Sequence, residues 1–330
     1  MSWYRWIVEK TLDAFLYVLI LIGAVFSLKG FYRTLILAFL VAGFGLGVNS
    51  VWKASAITTD SLSVKESVDV VEALPITPHP KENAPQFPLI SSKSILVVDV
   101  NSGQILHQEN PDLSLAPAST TKIMTALVAL DLYELDEIVP VSEQCVGVTG
   151  NSLGLSFGEQ LLFSDLIHAL IIASSNDAAC VLANARISEE YFVLKMNQKA
   201  QEIGMEKTTF TNSVGFDGYN GDHVSTARDL FKLALAARSN DYLKSVYSKP
   251  VHTLESGALP REIKTTNYLL GNYPGTVGIK TGTTTQAGQV LIYEYSDEVK
   301  DLIIVLMGSS ARFDEVSLIM GWVGESFEWF

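Results

Sequence analysis

The stretch Pro117–Leu127, "PASTTKIMTAL", decides how the chain is read. If a helix begins near Ser119, then Ser119 and Lys122 lie one turn apart on the same face. The residues that follow, Ile123, Met124, Ala126, Leu127, Val128, Ala129 and Leu130, are apolar on nearly every side. A helix of that kind is a buried one. Burial disfavours the ammonium form of a lysine and lowers its pKa. A neutral amine next to a hydroxyl is a base beside a nucleophile, and a helix N-terminus adds positive potential where negative charge would develop. A lone S-x-x-K, however, more often marks a capped helix whose lysine snorkels to the surface. The reading therefore depends on partners elsewhere in the chain.

Two partners follow in order. Ser174-Ser175-Asn176 sits in "IIASSNDAA", at a break between two apolar helical segments. Lys280-Thr281-Gly282 sits in "VGIKTGTTTQAGQVL", entering a strand-rich region. S-x-x-K, then S-x-N, then K-T-G is the signature order of penicillin-interacting serine enzymes. The chain resembles the low-molecular-weight penicillin-binding proteins, the serine D-alanyl-D-alanine carboxypeptidases of peptidase family S11. The segments that carry the resemblance are "DVNSGQILHQENPDLSLAPASTTKIMTAL", "GEQLLFSDLIHALIIASSNDAACVLA", "FTNSVGFDGYNGDHVSTARDL" and "GIKTGTTTQAGQVLI". It runs from about residue 91 to the C-terminus. It departs from the family at Ser175, where glycine is usual, at Phe216, where leucine is usual, and after Val290. The chain also ends soon after its last helix, without the C-terminal β-rich domain and amphipathic anchor of many members, so anchoring falls to the N-terminal segments.

The resemblance implies roles. Ser119 is the nucleophile that forms an acyl-enzyme, and Lys122 takes its proton. Ser174 relays that proton to the leaving amine, and Asn176 hydrogen-bonds the substrate backbone. Lys280 supplies positive potential, Thr281 binds the terminal carboxylate, and Gly282 leaves room for close approach to the strand. The backbone N–H groups of Ser119 and Thr283 form an oxyanion hole, and Arg312 binds the substrate carboxylate. The substrates implied are peptidoglycan stem peptides ending in D-Ala-D-Ala, with β-lactams as covalent inhibitors and no metal or cofactor. His223 reads as structural, Asp177 as a helix-start charge, and Ser225 or Thr226 as a helix cap.

The local patterns suggest an α+β fold, a β-lactamase/D,D-peptidase-like antiparallel sheet flanked by helices with a mostly helical subdomain. "SILVVDV" and "ILHQEN" read as a hairpin across the turn Asn101–Gln104. Residues 164–173 read as a helix capped by Ser164, and "STARDLFKLALAAR" as another. "GQVLIYEYS" and "DLIIVLMGSS" read as strands and "RFDEVSLIMGWV" as a closing helix.

The 330 residues carry a net charge of -13, which argues against general nucleic-acid binding. Residues 11–28 carry one charge, Asp13, and residues 34–52 carry none. Each stretch is long enough to span a bilayer, so residues 1–56 read as an anchor or signal-like region. One arrangement is a helical hairpin with Lys29 and Arg33 in the cytoplasm. The other is a single anchor, or a signal cleaved after "ASA" at Ala54–Ala56, preceded by a membrane-associated helix. Both put the rest of the chain outside the cytoplasm. Residues 57–88, with Pro75, Pro78, Pro80, Pro85 and Pro88, read as an extended spacer, and residues 89–330 as the catalytic domain. The two cysteines, Cys145 and Cys180, are too few for a disulfide scaffold, and their pairing is left open. The five histidines show no metal-ligand spacing.

Two rivals share the chemistry. A class A β-lactamase needs a glutamate-activated water in an E-x-x-L-N setting, and Glu206 in "MEKTTFTNSVGFDG" has no such setting. A D,D-endopeptidase uses the same residues on cross-linked peptides. A non-catalytic penicillin sensor or wall-binding module is the rival of another class. The first would need a cytoplasmic signalling domain, and the second would have lost Ser119, Lys122 or Lys280.

Overall fold

In strands such as SILVVD, QVLIY and LIIVLM, apolar side chains occupy both alternating sets of positions, so both sheet faces must be covered. The computed structural model of the chain describes residues 76–218 and 222–330, all within the unit Ala73–Phe330. It supplies that double cover. The main sheet is built from β2 (Ser94–Asp99), β3 (Ile105–Glu109), β8 (Thr276–Thr284), β9 (Gly288–Ser296) and β10 (Asp301–Ser309). Its order is β3-β2-β10-β9-β8, and every pairing is antiparallel. Leu96, Val98, Val290, Ile292, Ile303 and Val305 face the larger core, which contains the helical block. Ile95, Val97, Leu291, Tyr293, Leu302, Ile304 and Leu306 face the other way, toward Val316, Ile319 and Val323 of the C-terminal helix Arg312–Ser326.

The helical block holds α1 (Thr121–Leu130), α2 (Phe163–Ile171), α3 (Asn176–Asn184), α4 (Glu189–Glu202), α5 (Ala227–Arg238) and α6 (Asp241–Tyr247), and the helix over the other face is α7. As its composition requires, α1 is central: Thr121 through Ala129 are all buried. Two hairpins complete the block, β4 (Ile138–Pro140) with β5 (Gln160–Leu162) and β6 (Val251–Leu254) with β7 (Arg261–Lys264).

Two expectations change, and the helix cap expected at Ser225 or Thr226 is found at Thr226. Ser164 does not cap α2. Leu162 holds the cap position without a side-chain bond, and Ser164 sits inside the first turn, its carbonyl accepting from His168 Nδ1 at 2.7 Å. Thr226 does cap α5, accepting from the Asp229 N–H at 3.1 Å. The spacer reading does not extend through residue 88. Pro78–Pro80 form β1, paired with β11 (Phe327–Trp329). His79 stacks on Phe330 with ring centroids 4.0 Å apart, and Phe87 on His107 at 3.5 Å. Proline is tolerated in β1 because a strand in a two-stranded ribbon has a free edge. The proposed membrane segments, 11–28 and 34–52, lie outside the described residues. Among the described residues, no helix is long and apolar enough to cross a membrane.

The cysteines meet. Cys145 and Cys180 form a disulfide with Cα atoms 5.5 Å apart and a sequence separation of 35. Closing a loop of that size removes denatured-state entropy worth roughly 3–4 kcal/mol. Replacing both with serine is expected to lower the urea midpoint by that amount of stability. An unchanged midpoint would show that the bond constrains nothing the fold does not already hold.

Candidate active site

Ser119 stands on a short 3-10 turn, Ala118–Thr120, that runs into α1. The preceding residue, Ala118, has φ +50°, a left-handed conformation that costs a non-glycine residue about 1–3 kcal/mol. Two glycines pack against this bend. A Cβ on Gly282 would lie 2.8 Å from the Ser119 nitrogen and 2.9 Å from Ala118 Cβ. One on Gly215 would lie 2.1 Å from the Ala118 carbonyl oxygen. The missing side chain of Gly282 therefore makes room for the backbone of Ser119 as well as for anything lying on the strand. Gly282→Ala is expected to displace Ser119 and slow acylation on the order of 100-fold, with the circular dichroism spectrum unchanged. An undiminished acylation rate would remove this steric role.

Lys122 is fully buried. Its Nζ donates to Ser119 Oγ at 3.1 Å and to the Val214 carbonyl at 2.6 Å. Burial alone brings its pKa down to about 7, so much of the amine is neutral near neutral pH. The Val214 carbonyl is held in place by its loop. Asn212 Oδ1 accepts from the N–H groups of Val214, Gly215 and Phe216 at 3.2, 2.7 and 3.0 Å. Thr125 Oγ1 donates to the Ser213 carbonyl at 2.6 Å. His223 joins the two walls: its Nδ1 accepts from the Thr211 N–H at 3.0 Å, which leaves Nε2 to donate to Thr121 Oγ1 at 2.9 Å. Burial lowers the His223 pKa to about 4, so this bridge is neutral.

Ser174 is buried and has φ +56°. The departure at Ser175 has a local use, because its hydroxyl caps α3 by accepting from the Ala178 N–H at 3.2 Å. Asn176 opens the helix. Its Nδ2 donates to the Thr149 carbonyl at 2.6 Å and its N–H to the Asn151 carbonyl at 2.7 Å. Asp177 does more than sit at a helix start. Its carboxylate accepts from Ser152 Oγ at 2.5 Å, from the N–H groups of Leu153 and Leu155 at 3.1 Å each, and from Ser175 Oγ. Burial raises its pKa, but these hydrogen bonds outweigh that and hold it below the usual carboxylate range. Asp177 thus folds the loop 151–155 onto the start of α3.

The third motif lies on β8. Lys280 is buried, and its Nζ donates to the Thr281 carbonyl at 3.1 Å. Burial, then the charges of Lys122 and Arg312, push its pKa well below the ordinary lysine value. Thr281 Oγ1 hydrogen-bonds Thr266 Oγ1 at 2.6 Å. Arg312, the first residue of α7, reaches back to β8: Nη1 donates to the Gly282 carbonyl at 2.6 Å and to Thr283 Oγ1 at 2.8 Å. Its Nε is buried with no partner among the described residues.

These residues converge. Ser119, Ser174, Asn176, Thr281, Gly282, Thr283 and Arg312 line one cavity of about 390 Å³. Lys122 and Lys280 are buried among these elements. The sequence did not point to other parts of the wall: Gly150, Asn151, Gly215, Thr266 and Thr284. Gly150 carries a readable signal only in retrospect, since a Cβ there would sit 2.6 Å from Asn176 Nδ2. Val214 left no signal at all, because its contribution is a main-chain carbonyl.

Comparison with known proteins gives a consistent result. The profile of the Peptidase S11 family, described as D-alanyl-D-alanine carboxypeptidase, matches residues 81–311. The D-alanyl-D-alanine carboxypeptidase DacB2 of Mycobacterium tuberculosis is 31% identical over 233 residues, 69% of this chain and 80% of the relative. A D-alanyl-D-alanine endopeptidase of Pseudomonas aeruginosa is 31% identical over 266 residues, 78% of this chain and 85% of the relative. Among solved structures, a D-alanyl-D-alanine carboxypeptidase from M. tuberculosis superposes with a TM-score of 0.69 at 30% identity, covering 74% of this chain and 94% of that one. The ampicillin-bound penicillin-binding protein D2 of Listeria monocytogenes does so with a TM-score of 0.64 at 29% identity, covering 72% and 99%.

Proposed function

Given that the chain belongs to the D-alanyl-D-alanine carboxypeptidase family of serine peptidases, we propose that it is a membrane-anchored D,D-carboxypeptidase that removes the terminal D-alanine from peptidoglycan stem peptides. The observation that carries this reading is the buried amine of Lys122, 3.1 Å from the Ser119 hydroxyl.

In this reading Ser119 Oγ attacks the carbonyl of the penultimate D-alanine while Lys122 Nζ takes its proton. The oxyanion that forms is met by the N–H groups of Ser119 and Thr283, worth roughly 3–4 kcal/mol per donor. As the C–N bond breaks, the proton passes through Ser174 to the leaving D-alanine, and water then hydrolyses the ester. One N–H of Asn176 Nδ2 donates to the Thr149 carbonyl and orients the amide, whose Oδ1 accepts from a substrate N–H. Thr281, Lys280 and Arg312 receive the terminal carboxylate. An arriving anion favours the protonated form of Lys280 and gives the unpartnered Arg312 Nε an acceptor. A β-lactam enters by the same first step and stays as the ester.

Two features support an exported, membrane-held enzyme. Residues 11–28 and 34–52 are apolar and of spanning length. The Cys145–Cys180 disulfide fits an oxidising compartment. Sedimentation of the full chain with membranes, with protease digesting the catalytic domain only from the outer side, is the expected outcome.

An endopeptidase reading has one specific support, the P. aeruginosa relative of that name. The two are separated by offering the full chain a peptide ending in Lys-D-Ala-D-Ala and a cross-linked dimer. Free D-alanine from the first is the expected result. Cleavage of the dimer alone would make the enzyme an endopeptidase.

A further inference from the structure

The sequence shows no metal-ligand spacing, yet the fold gathers one set of donors. Asp165 and His168 lie three residues apart on the first turns of α2, hence on one face. His252 comes to that face from β6. One donor atom from each lies within 4.8 Å of the others. We propose that Asp165, His168 and His252 form a site for a divalent transition metal of the zinc class, which clips α2 to the β6–β7 hairpin.

The surroundings prepare each donor as metal ligands are prepared. His168 Nδ1 donates to the Ser164 carbonyl at 2.7 Å, which fixes the tautomer and leaves Nε2 with its lone pair. Asp165 Oδ2 is fully engaged by the N–H groups of Glu255 and Ser256 and by Ser256 Oγ, at 3.1, 2.8 and 2.6 Å. Oδ1 is thereby left to face His252 Nε2, 4.0 Å away. The two imidazoles are stacked, with centroids 3.8 Å apart and planes 16° from parallel, so one ring must turn for both in-plane lone pairs to meet a single ion. Two imidazoles and a carboxylate are the donor set that suits zinc. Tetrahedral zinc with bonds of about 2.0–2.2 Å needs its donors roughly 3.3–3.6 Å apart, so binding closes the Asp165–His252 pair, now at 4.0 Å, by about 0.5 Å.

One group already competes for the place. Lys249 Nζ lies 3.1 Å from His168 Nε2, an ammonium where a cation would go. Its half-buried stem allows it to swing outward. The site also has a route to the catalytic cleft. α2 runs through Ile172 and Ala173 into Ser174, and the β6–β7 hairpin runs into Thr266, whose N–H donates to the Ile172 carbonyl at 3.2 Å. A metal there fastens together the two segments that supply Ser174 and Thr266 to the cavity.

The test is calorimetric titration of the chelator-stripped full chain with zinc chloride, paired with thermal melts. One zinc per chain is expected, with a Tm rise of about 5 °C when zinc is a hundredfold above Kd. His252→Ala, at a half-exposed hairpin position, should keep the circular dichroism spectrum and weaken binding at least tenfold. Lys249→Ala should tighten it several-fold by removing the competing charge, whereas His107→Ala, at a separate His–Glu pair, should leave it unchanged. Failure to bind zinc at millimolar concentration would overturn the proposal. So would binding that His252→Ala leaves intact, or binding that Lys249→Ala does not strengthen.

Discussion

Ser119→Ala is expected to abolish covalent labelling by penicillin and to cut release of D-alanine on the order of 10⁵-fold. The size of the effect follows from the covalent route. Without Oγ there is no acyl-enzyme, and what remains is the binding and oxyanion stabilisation of the empty cleft. The variant is expected to fold, because Ser119 lies at the cavity wall and its Oγ is a partner only of Lys122 Nζ among the described side-chain hydrogen bonds. Mass spectrometry after incubation with benzylpenicillin provides the readout. A persistent adduct on the variant would assign the nucleophile to another hydroxyl, and Ser174 would be the first to examine.

Lys122→Met is expected to slow acylation on the order of 10³-fold and to change how stability responds to pH. For the parent, acylation falls as pH drops through about 7, the pKa to which burial lowers this amine, by about tenfold per pH unit below it. The stability sign follows from linkage. In the unfolded chain the lysine titrates near its ordinary 10.5, and in the folded chain near 7. Between these values the unfolded state holds the extra proton, so folding becomes more favourable as pH rises. From pH 7 to pH 9 the parent should gain about 2 kcal/mol relative to Lys122→Met, measured as the difference between their urea midpoints at each pH. The tyrosines are present in both proteins and largely cancel, while the Lys280 pKa rises in Lys122→Met because one of the charges that lowers it is gone. A flat difference would mean that Lys122 folds in already charged, and would remove it as the base.

What was legible in the sequence was the part that chemistry ties to side-chain identity over short spacings. Ser119 with Lys122, Ser174 with Asn176, and Lys280 through Thr283 were all readable because each motif is continuous along the chain. The central strands were readable because burial on two faces leaves apolar residues at both alternating positions. The unreadable parts share a cause, which is that nothing local records them. The left-handed turn at Ala118 is imposed from outside by tertiary packing. The strand at Pro78–Pro80 was hidden by its prolines, which suit a spacer equally well until Phe327–Trp329 is known to lie alongside. Ser164 looked like a cap on composition, but β5 delivers Leu162 to that position instead. His252 and His168 come together only through the docking of a hairpin whose short strands show no clear alternation.

The carbonyl of Val214 that accepts from Lys122 has a consequence for how this enzyme tolerates change. Every amino acid carries that oxygen, so no codon change at position 214 deletes it. The amine of Lys122 is thus held by a feature that substitution at position 214 leaves in place. Vulnerability moves to the neighbours that aim the peptide group. Asn212 has an amide oxygen that gathers three N–H groups, and Gly215 has no space for a Cβ. In a saturation library selected for activity, position 214 is expected to accept many apolar residues while 212 and 215 remain nearly fixed.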